Sequence, residues 1–472
     1  METSPGPRLA AQNEPVEQAL YEIRRKIYPR AVTGKFAVAR WFFVWATQLL
    51  FYGLPWLSWN DRQAVLFDLV HRKFYILGLV FWPQDIVYLT VLLLISAFSL
   101  FLFTAVAGRL WCGFACPQTV YTEIFMWIEK VIEGDRPKRM KLDKSGISAR
   151  KFGLKAAKHA IWIALALWTG FTFVGYFTPI QSLGAEVFAL ALGPWETFWV
   201  LFYGFATYGN AGWMREQVCK YMCPYARFQS VMFDRDTLVI TYDAERGEKR
   251  GSRSRGADYK AKGLGDCVDC GICVQVCPTG IDIRNGLQYE CIGCAACIDG
   301  CNQVMDKVGY PRGLIRYSSE NALKEHVSLA GMMRRILRPR VLLYTAILWS
   351  TIIAAAITLY QRVPVKVDVI RDRVASAQDD EEIENVYRLQ IMNTSEVPRR
   401  FRITASGLTG LEIEGDAAEV EIGPATSRMV PVRLEAPRRN AKKGANPIVF
   451  TVRTVGDDEA IVITEKASFM VQ

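Results

Sequence analysis

Five stretches of the chain are apolar for long enough to cross a lipid bilayer, and they limit the possible folds more than any other feature. A transmembrane helix needs about 20 predominantly apolar residues. Because the backbone polar groups of such a segment have no water to bind, these stretches are predicted to be α-helices. They lie at about 36–57, 84–107, 156–177, within 186–207 and at 341–360, and Gly193-Pro194 interrupts the fourth. We therefore expect a polytopic α-helical membrane protein.

Basic residues cluster at the ends of these stretches and predict their orientation. Among them are Arg24, Arg25, Lys26, Arg30, Lys35, Arg40, Arg109, those of 136–158, Arg215, Lys220, Arg334, Arg335, Arg338 and Arg340. The loop between the third and fourth stretches has no Lys or Arg. Because cytoplasmic loops carry an excess of Lys and Arg, we expect a cytoplasmic N-terminus and an outer C-terminus. The net charge of +10 thereby reflects membrane topology, and we expect no nucleic-acid partner.

The first outer loop departs from this rule, since it holds Arg62, Arg72 and Lys73. Its run AVLFDLVHRKFYILGLVFW is predicted to be an amphipathic segment that lies on the outer interface. The first 20 residues are polar, so we expect no cleavable signal peptide. The first spanning segment would then serve as an uncleaved anchor.

After Tyr360 the sequence alternates apolar and polar residues. Seven short segments do so: VKVDVIR, VYRLQIMN, RRFRIT, LEIEG, RMVPVRLEA, IVFTVRT and AIVITEK. Turn signals separate them, at Asn393-Thr394, Ser406-Gly407 and Gly456-Asp457. Such a series predicts a C-terminal all-β immunoglobulin-like sandwich. We interpret it as a partner-binding or dimer-forming domain.

All 12 cysteines lie before this domain, in short motifs. Eight form two C-x2-C-x2-C-x3-C runs, at 267–277 and 291–301, which is the spacing of bacterial ferredoxins with two [4Fe–4S] clusters. The fourth cysteine of each run binds the other cluster in that fold. This assigns a first ligand set, Cys267, Cys270, Cys273 and Cys301, and a second ligand set, Cys277, Cys291, Cys294 and Cys297. The alternative, two Cys₄ zinc sites, is disfavoured because zinc prefers paired C-x2-C knuckles.

The other four cysteines form two C-x3-C-P motifs, Cys112/Cys116 and Cys219/Cys223, which we call the paired motifs. Each follows an apolar stretch on its inner side. Thiolates select soft metals such as Cu(I), zinc or iron–sulfur centres. Met126, Met214 and Met222 are possible thioether ligands. The alternative is that these cysteines are small buried thiols at helix ends, or lipidation sites.

Other polar residues carry weaker signals. His159 begins the third stretch and is predicted to be an interfacial or packed residue more than a ligand. Glu123 and Glu129 are predicted to lie on a solvated helix face. The chain has no GxGxxG or GxxxxGK[ST] motif and no C-x-x-C-H haem motif, so we expect no nucleotide, flavin or c-type haem.

Several stretches resemble a known family, the FixG/CcoG-type cytochrome c oxidase accessory proteins, also called Rdx or polyferredoxin proteins. They are QAVLFDL (63–69), FWPQD (81–85), RLWCGFACPQTVYTEIFMWIE (109–129), ALWTGFTFVGYFTPI (166–180), CPYARFQSVMFDRDTL (223–238), YDAERGE (242–248) and the eight-cysteine module. The resemblance implies a role in maturation of the cbb-type haem–copper oxidase. It also implies similarity to a cupric reductase, with copper as substrate at Cys112, Cys116, Cys219 and Cys223.

The expected architecture has five parts. They are a cytoplasmic tail (1–35), a four-helix membrane region (36–233), an inserted cytoplasmic ferredoxin-like α+β module (234–330), a basic approach with a fifth helix (331–361) and a periplasmic sandwich (362–472). The expected function is electron transfer in the bacterial inner membrane, from a cytoplasmic donor to Cu(II). Expected partners are the oxidase or its copper chaperones, and a second copy in a homodimer. Alternatives are a subunit that feeds another redox complex and a redox-sensing assembly scaffold.

Overall fold

The computed structural model describes residues 26–253, 258–327, 329–377, 382–414, 419–456 and 460–471. Most of the expected N-terminal tail, with Arg24 and Arg25, lies outside these ranges, as does Asp457. The helices are α1 (Lys35–Gly53), α2 (Ile86–Ala107), α3 (Leu110–Phe114), α4 (Pro117–Glu133), α5 (Arg136–Lys144), α6 (Ala149–Val174), α7 (Ile180–Phe188), α8 (Pro194–Thr207), α9 (Pro224–Met232), α10 (Ala244–Gly247), α11 (Ile272–Gln275), α12 (Ala296–Val308), α13 (Glu320–Lys324), α14 (Leu329–Ile336) and α15 (Pro339–Tyr360).

The strands of the described residues fall into two groups. Seven lie within the first 318 residues: β1 (Ser58–Trp59), β2 (Arg62–Gln63), β3 (Val65–Asp68), β4 (Lys73–Ile76), β5 (Leu79–Phe81), β6 (Val239–Tyr242) and β7 (Ile315–Ser318). Eight form the C-terminal domain: β8 (Val365–Ala377), β9 (Glu382–Asn393), β10 (Arg399–Ser406), β11 (Glu412–Glu414), β12 (Glu419–Ile422), β13 (Ser427–Pro437), β14 (Gly444–Val455) and β15 (Val462–Val471).

Three of the five predicted spans are helices long and apolar enough to cross a membrane. They are Pro83–Ala107, Ala149–Val174 and Pro339–Tyr360. The first predicted span forms the 19-residue helix α1, but it carries the buried polar residues Arg40 and Gln48. The fourth begins only at Pro194, because proline ends the preceding segment and starts α8, which has 14 residues.

Helices α2 and α15 pack side by side and connect the two polar parts of the molecule. At one end, Arg362 beside the end of α15 pairs with Asp85 at the start of α2, at 2.7 Å. At the other end, Arg338 donates to the carbonyl of Ala105 at 2.6 Å. Each helix has 22 residues, a length of about 33 Å, which matches the hydrocarbon core of a bilayer. The cysteine-rich module and the sandwich therefore lie at opposite ends of these helices.

Helices α6 and α8 approach each other closely at a pair of glycines. A Cβ atom on Gly170 would lie 2.2 Å from the carbonyl oxygen of Val200 and 3.0 Å from the nitrogen of Gly204. Small residues permit such backbone contact between membrane helices, where dispersion contacts drive association. The contact fixes α8 and, through the π-helical turn Tyr208–Met214, the chain that leads to Cys219.

Segment 64–82, predicted to be amphipathic and to lie on an interface, forms a three-stranded antiparallel sheet, β3-β4-β5. The run is rich in aromatic and β-branched residues, and Arg72 and Leu77 adopt positive φ angles (56° and 53°) in its two turns. Val80 and Trp82 are buried against Met392 of the sandwich. The sheet is therefore a platform for the C-terminal domain.

The C-terminal domain is a sandwich of two four-stranded antiparallel sheets, ordered β12-β10-β14-β15 and β11-β13-β9-β8. The prediction of an all-β sandwich is confirmed. Its core takes fully buried aromatic residues from both sheets, including Tyr387, Phe401, Phe450 and Phe469. Strand β12 was not predicted, because its four residues are too short a pattern to separate from a turn.

The cysteine-rich module combines helices α11 and α12 with the antiparallel strand pair β6 and β7. It is fixed to the first helix by Asp299, whose buried carboxylate accepts the backbone N–H of Ala37 at 2.7 Å. An anion at a helix N-terminus is favoured because it satisfies free N–H groups and faces the positive end of the helix dipole. The module, predicted only as an insertion between the fourth and fifth spans, is thus also bonded to the first helix.

Candidate iron–sulfur and thiol site

The structure gathers the first ligand set around one small enclosed cavity. Cys267, Cys270, Cys273 and Cys301 line it, together with apolar side chains of α12 and β7. The tight spacing folds into turns because Asp269 and Gly271 adopt left-handed backbone angles, with φ of 51° and 64°. Cys270 is exposed and Cys267, Cys273 and Cys301 are more deeply placed. One edge of this cavity therefore faces solvent.

The second ligand set surrounds a neighbouring cavity. Cys277, Cys291, Cys294 and Cys297 line it, with Cys273 of the first set as a shared wall. Left-handed residues again shape the turns, at Gly293 and Ala295 (φ of 71° and 58°). The two cavities are thus adjacent, and the last cysteine of each run faces the cavity of the other run's first three.

Burial controls the chemistry of these thiols. It raises the pKa of Cys294 and of Cys301 to about 12, so without a metal both sulfurs keep their protons. Metal binding supplies the positive charge that stabilises thiolates in such a setting. Two adjacent cavities, each with its own set of four cysteines and with Ile side chains in its wall, fit two [4Fe–4S] clusters.

The two paired motifs have the same local structure. Cys116 precedes α4 and Cys223 precedes α9, and each is followed by proline at the first helical position. Proline is favoured there because its missing N–H has no helical acceptor to lose. Cys112 lies in the short helix α3, and Cys219 lies in the π-helical turn Val218–Met222. The C-x3-C-P spacing thus spans a turn followed by a new helix.

The four thiols of the paired motifs lie close to one another. Burial raises the pKa of Cys112 and of Cys219 to about 12, and negative charge on Cys116 would raise both further. Within the described residues, however, no three His, Cys, Asp or Glu side chains converge as ligands of a single metal ion. The same holds for the ferredoxin ligand sets, in which each cysteine would bind a different iron atom.

The paired motifs lie directly against the second ligand set. Cys112 and Cys219 pack on the cluster of buried side chains that includes Ile292 and Cys294. A Cβ atom on Gly113 would lie 2.5 Å from the carbonyl oxygen of Gly293, so the two backbones touch. Helix α3 and the 291–294 turn therefore form one continuous contact.

Several polar residues at this contact were not identified from the sequence. Gln229 is fully buried and its Oε1 accepts a hydrogen bond from Cys112 Sγ at 3.5 Å. Arg40 donates to the carbonyl of Cys294 at 2.6 Å, and Arg109 donates to the carbonyls of Tyr289 and Ala226. Both arginines were interpreted as topological charges at helix ends. The only sequence signals of another role were that Arg109 lies beside a cysteine motif and that Arg40 lies inside an apolar stretch.

Glu129 corrects a prediction. It is buried, not on a solvated face, and pairs with Arg139 (2.8 Å), Arg215 (3.1 Å) and Lys158 (3.6 Å). These cations belong to α5, to the 208–218 segment and to α6. The three segments contact α4 only in the folded protein, so the sequence did not reveal the pairing. Glu123 pairs with Arg40 across 3.9 Å.

The remaining sequence candidates fall in different places. His159 stacks on Trp213 and its Nδ1 bonds the hydroxyl of Tyr208 at 2.9 Å, which is a packed arrangement. Met222 is 57% exposed. Met126 lines a cavity of about 140 Å³ that also reaches Cys219 and Cys294.

Comparison with known proteins agrees with these features. Residues 214–320 match the family described as "4Fe-4S dicluster domain", and residues 89–137 match "4Fe-4S binding domain". Residues 355–472 match the "IG-like fold at C-terminal of FixG".

Full-length relatives were also found. Protein RdxA of Cereibacter sphaeroides is 39% identical over 441 residues, which cover 90% of this chain and 92% of that protein. Nitrogen fixation protein FixG of Rhizobium meliloti is 37% identical over 459 residues, 89% and 87% of the two chains. Protein RdxB of Cereibacter sphaeroides is 37% identical over 424 residues, 87% and 88%.

The apolar helices, the cysteine cavities and the ferredoxin matches define a membrane-associated iron–sulfur protein of the electron-transfer class. The sequence identity to RdxA, FixG and RdxB extends over most of this chain, so the family can be assigned. The chain belongs to the FixG/RdxA family.

Proposed function

We propose that the protein transfers single electrons from a cytoplasmic donor to Cu(II) at the paired motifs, in support of cbb-type oxidase maturation. The observation that carries this proposal is the packing of Cys112 and Cys219 against Ile292 and Cys294. This packing supports electron transfer between the second ligand set and the proposed soft-metal site. The role in oxidase maturation rests on the family resemblance.

The order of the sites supports one direction of transfer. The first ligand set would hold its cluster beside the exposed Cys270, where a soluble donor has access. The second set shares Cys273 as a wall and lies beneath the membrane helices. When bound, [4Fe–4S] clusters accept and donate one electron at a time. The chain thereby lines up solvent, the first set, the second set and the paired motifs.

The cavity beside Cys219 supports access for the substrate. It has a volume of about 140 Å³ and is lined in part by Glu123, Met126 and Glu216. Carboxylates suit the harder Cu(II), whereas thioether and thiolate sulfur suit Cu(I). The lining of this cavity therefore offers both oxygen and sulfur donors.

The proposed step balances with one electron. Cu(II) gains one electron to become Cu(I), and a one-electron carrier in the cytoplasm is oxidised once for each ion. Cys112, Cys116, Cys219 and Cys223 bind the product as thiolates and release their protons to water. Because thiolates prefer Cu(I), binding at these cysteines raises the driving force for reduction.

We further propose five membrane passes in the bacterial inner membrane, with the N-terminus and the module cytoplasmic and the sandwich periplasmic. The flanking Lys and Arg residues support this orientation. The placement of the module and the sandwich at opposite ends of α2 and α15 also supports it. The sandwich would then face the oxidase, its copper chaperones or a second copy of the chain.

The test uses full-length protein in detergent, reduced anaerobically and freed of reductant. Cu(II) is added with a chromophoric chelator of Cu(I). We expect the variant with Cys112, Cys116, Cys219 and Cys223 all changed to Ala to lose most Cu(I) formation, yet to keep about eight iron atoms per chain. The control is Met429→Leu, at an exposed site of the sandwich, which should match the wild type. Unchanged Cu(I) formation in the four-cysteine variant would reject the assigned role.

A second candidate function is electron transfer to another membrane complex through a third redox centre at the paired motifs. Two observations favour it. The four thiols do not converge on one ion, and residues 89–137 match a 4Fe–4S binding domain. Iron analysis and a redox titration separate the two functions, because a third cluster would add iron beyond about eight atoms and a further potential.

A further inference from the structure

Arg109 is a buried cation without an anionic partner. It is 6% exposed, and in the described part of the chain no carboxylate pairs with its guanidinium. Its Nη atoms donate to backbone carbonyls, those of Tyr289, Cys291 (3.4 Å) and Ala226. Its Nε is buried with no hydrogen-bond acceptor. The side chain is thus enclosed by the protein but not neutralised by it.

The other two buried arginines of the described residues differ in this respect. Arg139 pairs with Glu129 at 2.8 Å, and Arg40 lies 3.9 Å from Glu123. An isolated buried charge costs several kcal/mol unless an opposite charge or a set of hydrogen bonds compensates for it. Carbonyl dipoles supply part of that compensation for Arg109. The remaining compensation of its charge has to come from a group that is negatively charged when the clusters or copper are bound.

The anionic groups that Arg109 faces are cysteines. It precedes α3 and so lies three residues before Cys112. Its positive charge acts on Cys291 of the second ligand set and on Cys112 and Cys219 of the paired motifs. A [4Fe–4S] cluster with four thiolates is anionic, and reduction adds one more negative charge. Arg109 therefore stands between two sites that both become negative.

The guanidinium in the wall of the first cavity is Arg284, and this group already pairs with Asp282 (2.7 Å) and Asp269 (2.5 Å). Near the second set, Glu290 opposes Arg109, but it is only half-buried and solvent screens it. The local charge is thus more positive at the second set than at the first.

We propose that Arg109 is the counter-ion of the second ligand set and of the paired-motif thiolates, and that it makes the second cluster the easier of the two to reduce. Arg109 contacts the backbone of a cysteine that binds the cluster and does not contact the substrate. It is therefore a positioning residue, and it acts through its positive charge. Electron transfer from the solvent-facing first set to the second set is then favourable in free energy. The direction toward copper rests on the proposed function; the difference in potential does not.

The test is an anaerobic redox titration of the full-length protein, followed by EPR. We expect Arg109→Gln to lower the reduced-to-oxidised ratio of one cluster about tenfold at a fixed potential, a shift of about 59 mV for a one-electron couple. The other cluster should not change. The matched control is Arg284→Gln, which should not affect the cluster that Arg109→Gln shifts.

A second variant decides the matter if Arg109→Gln does not assemble. Arg109→His places a titratable cation at the same position, with an ordinary pKa near 6.5. The potential of the second cluster should then rise as the pH falls through this range, more steeply than in the wild type. Unshifted potentials in Arg109→Gln with full iron, or an Arg109→His profile equal to that of the wild type, would overturn the proposal. Loss of Cu(II) reduction in the four-cysteine variant is a separate result that tests the proposed function alone.

Discussion

Glu129 shows how a single carboxylate holds several segments of the helical region together. Its side chain is 3% exposed and pairs with Arg139, Arg215 and Lys158, which come from three different segments. Although burial alone would raise the pKa of this carboxyl, the charges of Arg215, Arg139 and Lys158 outweigh it, and the net pKa is lowered. The ionised form is therefore the one that the folded state stabilises.

We expect Glu129→Gln to destabilise the protein by about 3–5 kcal/mol, because it leaves buried cations without their partner. Thermal unfolding in detergent measures this effect. The exposed i,i+4 pair Glu320–Lys324 provides the control, since Glu320→Gln removes only a solvent-screened ion pair and should leave thermal unfolding close to that of the wild type. Because the folded pKa is lowered, the stabilisation by Glu129 is present above the unfolded value near 4.3 and is lost as the pH falls below it. Glu129→Gln should remove that part of the acid sensitivity, and equal losses in both variants would contradict the prediction.

Individual residues also differ in how far their role could be predicted from the sequence. The cysteine runs were readable because the ligand pattern is local, with gaps of two or three residues. Arg40, Arg109 and Glu129 were misread because their partners lie on segments distant in the chain, and a basic or acidic residue near a helix end has the same appearance in either role. The fully buried Gln229 gave no signal at all, since one glutamine in a short helix carries no pattern.

At the scale of elements, the contact between α3 and the 291–294 turn joins the membrane region to the module. Gly113 permits it, because any side chain there would meet the Gly293 carbonyl at 2.5 Å. The C-x3-C-P spacing predicted two equivalent inner motifs. It did not predict that α3 would end after five residues and present its backbone to the ferredoxin turn. That arrangement depends on two glycines in different regions.

We expect Gly113→Ala to push α3 away from the turn and to slow Cu(I) formation, because electron transfer becomes slower as the distance between the two sites grows. The measurement is the rate of Cu(I) formation by the pre-reduced protein, with iron content determined in parallel. Gly153→Ala is the control, because nothing lies within 4 Å of a Cβ atom at that helical position. A normal rate in Gly113→Ala would show that this backbone contact does not limit transfer.

At the scale of the whole molecule, the sandwich is held on the β3-β4-β5 platform by polar contacts around a small apolar centre. Asp85 accepts from Arg362 at 2.7 Å and also pairs with Lys366. Glu396 accepts from Trp59 (3.1 Å) and pairs with Arg62. The alternating pattern predicted the sandwich, but not the contact of Val80 and Trp82 with it, because local periodicity does not reveal which domain an apolar residue packs against.

Asp85 is the contact to test, because it joins the start of α2 to the end of α15 and the first strand of the sandwich. Its side chain is 4% exposed, so Asp85→Asn should leave two cations partly unpaired and weaken docking by about 3 kcal/mol or more. We expect faster hydrogen exchange in residues 362–366 and 79–82, with iron content and Cu(I) formation retained, since both cysteine sites lie at the opposite ends of the helices. Asp368→Asn is the control, because that residue makes only one long contact to Gln84, at 3.3 Å. Exchange that stays at the wild-type level in Asp85→Asn would show that the apolar contact of Val80 and Trp82 with Met392 suffices to hold the domain.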